Sequence, residues 1–93
     1  MGNFSFQAAS KARCGLTLFD KNNVAAALSE LKLAKLRILG ADKFVQFDDD
    51  RIQPIDQIDL SHETDFSAAY DAVSNFVTAP DERSGILFEL VWN

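Results

Sequence analysis

The run Ile86-Leu87-Phe88-Glu89-Leu90-Val91-Trp92 is apolar on both sides of a two-residue repeat. In an extended strand Ile86, Phe88, Leu90 and Trp92 point one way, while Leu87 and Val91 flank Glu89 on the other. Such a strand needs cover on both faces, so it belongs in the middle of a sheet or against a second subunit. A chain of 93 residues builds one small core, and everything else in the sequence has to pack around this strand.

Two segments have the spacing of helices that do so. Phe66, Ala69, Tyr70, Val73 and Val77 form one stripe, with Phe76 at its margin. Thr64 or Asp65 caps the start of this helix two, and Pro80 stops it. Helix one is predicted from about Asn22 to Leu39, because Val24, Ala27, Leu28, Leu31, Ala34 and Ile38 share a face. Asp20, Asn22 or Asn23 supplies its N-cap, Gly40 its left-handed C-cap, and Lys32, Lys35 and Arg37 complement its dipole. Leu33 and Leu36 point away from that face. They need a second partner, unless the helix stops early and Leu36-Arg37-Ile38 opens a strand that turns at Gly40-Ala41-Asp42.

The remaining segments read as strands. Phe4–Ala8 and Arg13–Phe19 alternate and suggest a hairpin through Ala9-Ser10-Lys11-Ala12, with a short helix as the alternative. Lys43–Phe47 and Arg51–Ile55 suggest a second hairpin across Asp48-Asp49-Asp50. Pro54 lacks an N–H, so its strand is expected at a sheet edge or is expected to end there. Asp56–Thr64 reads as polar and irregular, with Ile58 and Leu60 tucked against the core. The expected order is β-β-α-β-β-α-β, a single α+β domain over residues 1–93 with a mostly antiparallel sheet and two helices packed on it.

With 11% aromatic residues, 4 Gly and 2 Pro, the chain has the composition of a packed globule rather than a disordered segment. No apolar run approaches the roughly 20 residues that span a bilayer. The start Met1-Gly2-Asn3-Phe4-Ser5-Phe6 has neither the basic residues nor the apolar stretch of a secretion signal, and Phe6 stands where an acylation motif wants Ser or Thr. The single cysteine, Cys14, excludes an internal disulfide. A cytoplasmic protein without membrane contact is the expectation.

Residues able to do chemistry are few. His62 beside Glu63 and Asp65 has the composition of an acid–base cluster, but a Ser-His-Glu-Thr segment entering a helix is equally a capping region. Asp56, Asp59 and His62 offer three metal ligands without the Gly or the terminal Glu of a calcium loop. Cys14 and His62 make a nucleophile–base pair only if distant segments converge; otherwise Cys14 is a small buried hydrophobe. The glycines stand singly at positions 2, 15, 40 and 85, so no phosphate-binding loop is present. The expectation is no catalytic residues, no cofactor and no metal.

Charge is the strongest functional signal. Residues 1–47 carry seven basic and three acidic residues, whereas residues 48–93 carry two basic and eleven acidic ones, so halves of +4 and −9 make up the net charge of −5. The basic half includes Lys11, Arg13, Lys32, Lys35, Arg37 and Lys43, but the acidic half and a pI near 4.6 argue against nucleic acid as a partner. An acidic face at Asp48, Asp49 and Asp50 docking on a basic protein partner fits better. It suits a regulator or inhibitor, one that occupies the site of a nucleic acid. Leu33, Leu36 and Trp92 are the candidate contacts of a homodimer. The alternative is a small-molecule-binding protein or minor enzyme with a pocket between helix two and the sheet, lined by Tyr70, Phe66 and Trp92.

Overall fold

The computed structural model describes residues 11–13, 16–49 and 51–93. Among them, strands β1 (Lys11–Arg13), β2 (Leu16–Asp20), β3 (Ile38–Gln46), β4 (Ile52–Asp59) and β5 (Ile86–Trp92) form one sheet in the order β1-β2-β5-β3-β4. Every neighbouring pair is antiparallel. Helix α1 (Lys21–Leu33) joins β2 to β3, and α2 (Phe66–Thr78) joins β4 to β5. Each helical crossover therefore spans one intervening strand. The last strand of the chain ends up between β2 and β3, the buried position that its two apolar sides require.

Both helices cover the same face of the sheet. Phe19 of β2, Phe88 and Leu90 of β5, and Ile38 and Ala41 of β3 meet Val24, Ala27, Leu28 and Leu31 of α1 and Ala69, Tyr70, Val73 and Val77 of α2 in one core. On the opposite face Leu18, Phe44 and Leu87 form a smaller buried cluster, with Ile52 packed against it. Two-sided burial of β5 is thus divided between a large core and a small one.

Asp20 caps α1 by accepting the N–H of Asn23 at 2.9 Å, and Asp65 caps α2 by accepting that of Ala68 at 2.9 Å. The end of α1 differs from the sequence reading. The helix stops at Leu33, not Leu39, and Gly40 is not its cap. Lys35 adopts a left-handed φ of 59°, the Lys35 N–H bonds the Lys32 carbonyl at 3.0 Å and the Leu36 N–H bonds the Leu31 carbonyl at 3.1 Å. These two bonds are a Schellman closure, with lysine where glycine is usual. The closure turns Leu36 inward, where it packs against the main core and its carbonyl accepts the Tyr70 hydroxyl at 2.6 Å.

Gly40 instead lies within β3, where a Cβ would collide with the Ile58 carbonyl oxygen. The chain does not turn at Gly40-Ala41-Asp42 but continues through it as a nine-residue strand, with a register shift against β5 between Ile38 and Gly40. Its partner β4 extends through Asp56–Asp59, a segment the sequence reads as irregular because the polar residues of an edge strand look like those of a loop. Lys11 and Ala12, expected in a connection, instead lie in β1, which pairs with β2. The proposed strand Phe4–Ala8, Cys14 and Asp50 lie outside the described residues.

Candidate functional site

Among the described residues, strand β4 is an outer strand of the sheet, beside β3, an edge position that Pro54 allows, and it does not end at Pro54 but runs on to Asp59. Open edges invite pairing with another chain unless they are blunted. Pro54 offers no N–H, the register shift between Lys43 and Phe44 leaves Ile55 unpaired, and the carboxylate of Asp56 accepts the Gln57 N–H at 2.8 Å. These features disfavour strand addition, so recognition on this side falls to side chains.

Those side chains are acidic. Asp48 and Asp49 sit in the β3–β4 turn, and Asp56 and Asp59 follow along β4, all exposed. Asp49 is partly neutralised by Arg51, 2.6 Å away, whose guanidinium also lies over the Phe47 ring at 5.1 Å. Among the described residues no cation lies within ion-pair distance of Asp48, Asp56 or Asp59. Asp59 accepts the Ser61 N–H at 2.9 Å. That bond, then the Ser61 side chain and the charge of nearby His62, hold its carboxyl below the usual range.

Several basic side chains are engaged elsewhere. Arg37 donates to the carbonyls of Ser61 at 2.8 Å and Glu63 at 3.3 Å, fastening the loop between β4 and α2. Lys21 donates to the Ala79 carbonyl at 3.2 Å. Lys43 is buried on the helix-covered face, and its ammonium is 2.7 Å from the carboxylate of Asp81. Asp81 also takes two hydrogen bonds from the Arg83 guanidinium, at 2.7 and 3.0 Å, which with Lys43 hold it far below the usual carboxylate range. A cavity of about 240 Å³ opens here, lined by Lys21, Lys43, Asp81, Arg83 and Phe88. Its two innermost charges neutralise each other, so the triad anchors the α2–β5 loop across the end of the sheet.

The opposite face of the sheet holds a feature that the sequence reading did not single out. Asp42 and Glu89 stand directly opposite each other on β3 and β5. Burial, then the Asp42 charge and a hydrogen bond to its side chain, raise the Glu89 carboxyl above its ordinary value. A lone carboxylate inside an otherwise apolar strand was the legible sign of this site; its partner across the ladder was not.

Other candidate residues are dispersed. Leu33 projects into solvent at 83% exposure, whereas Leu36 and Trp92 are half-buried against the main core. His62 is exposed, and no group of three or more described His, Cys, Asp or Glu residues is placed to hold a metal ion. Tyr70, Phe66 and Trp92 do not surround one cavity. Tyr70 lines a space of about 230 Å³ between the helices, and Phe66 one of about 160 Å³ beside the start of α2. No described helix is long and apolar enough to cross a membrane. No family model, curated protein or solved structure matches the chain.

Proposed function

We propose that the chain is a small non-enzymatic interaction module that docks on a basic protein partner through the acidic edge formed by β4 and the β3–β4 turn. The observation that carries this reading is the contrast in charge. Asp48 and Asp56 are exposed without a described counter-ion, whereas Lys21, Arg37, Lys43 and Arg83 are held in internal contacts. An uncompensated field of one sign steers a complementary partner and accelerates encounter. A regulator or inhibitor that covers a nucleic-acid-binding surface has this character. The reading sets the protein in the cytoplasm, where a lone thiol stays reduced, and makes its working unit a homodimer, supported by the exposed Leu33.

Capture from an extract of the source cells, repeated at low and moderate salt, tests the docking. Basic proteins retained at low salt are expected to be lost at moderate salt, because exposed charges are screened over about 10 Å at 0.1 M. A variant with Asp48 and Asp56 both changed to Asn is expected to lose the same proteins even at low salt. Equal recovery by this variant overturns the acidic docking surface.

A further inference from the structure

We propose that two copies of this chain associate through one end of the sheet, the Lys32-Leu33-Lys35 knob of each copy seating on the acidic groove over Gly40 of the other. The inference rests on the homodimer reading and gives it a surface.

The knob is the C-terminal turn of α1. Leu33 is 83% exposed, against 38% for Phe47 and Phe66 and 41% for Val91. Phe47 lies under the Arg51 guanidinium and Phe66 packs on Tyr70 at 4.9 Å, so those two rings have local cover. Lys32 and Lys35 are exposed on either side of Leu33. Lys35 holds a left-handed φ of 59°, where glycine is the unstrained residue. A lysine kept at such a position points to a use for its side chain.

The groove lies on the sheet face away from the helices. It has a volume of about 310 Å³ and is walled by Asp42, Gln57, Asp59, Ser61 and Val91. Gly40 keeps its floor flat, and no larger residue fits there because a Cβ would meet the Ile58 carbonyl. Asp42 and Asp59 supply the groove's two carboxylates. The groove thus offers an apolar contact, Val91, between carboxylates, and the knob offers an apolar contact, Leu33, between ammonium groups.

The occupant follows from this complementarity and from placement. Only a few residues separate Lys35 from Gly40 along the chain, so knob and groove belong to the same end of the molecule, one on the helix side of the sheet and one on the open side. A two-fold axis at that end sets each knob on the other copy's groove, and the contact closes without leaving a free patch to build fibres.

Light scattering and sedimentation at micromolar concentration and low salt test the proposal. The expected mass is about twice 10.3 kDa. Leu33→Glu, Lys32→Glu with Lys35→Glu, and Asp42→Lys with Asp59→Lys are each expected to weaken association by about tenfold or more, with circular dichroism confirming that every variant is folded. Mixing the two charge-reversed variants restores both contacts at once, so the mixture is expected to dimerise where neither component does. A monomeric mass for the unaltered chain overturns self-association itself. A dimer that ignores all three changes, or a mixture that fails to recover, overturns this surface while leaving the homodimer standing.

Discussion

Asp42 and Glu89 face each other across the β3–β5 ladder, in the middle of the sheet, although both are acids. On β4 the residue paired with Asp42 is Gln57, which brings no positive charge. Like charges directly opposite in a sheet cost stability, commonly a few tenths to about 1 kcal/mol.

This arrangement sets the sign of a pH dependence. The folded-state pKa of Glu89 lies above its ordinary value of 4.5. The pair therefore favours the fold while Glu89 is protonated, and that contribution is lost as pH rises from 4.5 through the raised value. Glu89→Gln is expected to raise stability at pH 7 by about 0.5 kcal/mol and to change little at pH 4. Urea unfolding of both proteins at the two pH values checks this; equal effects at both count against the raised Glu89 carboxyl.

The ion triad predicts an ordering. Asp81→Asn leaves the Lys43 ammonium buried without its carboxylate, whereas Lys43→Met leaves Asp81 still held by Arg83. Removing the anion is therefore expected to lower the unfolding midpoint more than removing the cation. Because the pKa of Asp81 is depressed, its contribution is present above the ordinary carboxylate value and fades only as pH falls through the lowered one. Thermal unfolding of the two variants at pH 7 measures the order, and a reversed order refutes it.

Core truncations follow burial rather than residue size. Phe88 is almost fully buried in the main core, so Phe88→Ala is expected to cost about 3–5 kcal/mol, close to the whole stability of a domain this small. Phe66 is 38% exposed and lies over Tyr70, so its truncation costs much less than its place on the helical stripe suggests. His62→Ala is expected to stay within about 0.5 kcal/mol. Equilibrium denaturation of the three variants decides the ranking.

The end of α1 gives two opposed changes. Tyr70→Phe removes the hydroxyl that the Leu36 carbonyl accepts at 2.6 Å and is expected to cost about 1–2 kcal/mol. Lys35→Gly relieves a left-handed backbone and is expected to gain about 0.5–1 kcal/mol. If Lys35→Gly destabilises the monomer instead, the lysine is there for the fold rather than for contact.

The sequence alone determined the elements whose signals are local. The stripe at Phe66, Ala69, Tyr70, Val73 and Val77 marks α2, the two-sided run Ile86–Trp92 marks a buried strand, and the capping residues are narrowed to Asp20, Asn22 or Asn23 and to Thr64 or Asp65, of which the structure uses Asp20 and Asp65. Each of these depends on residues within a few positions of one another, and a repeat of 2 or 3.6 records it directly. Tertiary structure alone decided what depends on distant partners. Leu36 is folded inward by a closure that Tyr70 completes from α2, and Gly40 is a strand residue because the Ile58 carbonyl of β4 leaves no room for a Cβ. Lys43 meets Asp81, and Asp42 meets Glu89, only because β5 inserts between β2 and β3. Strand order arises from long-range burial, so charges far apart in the sequence become neighbours by a choice that no local pattern records.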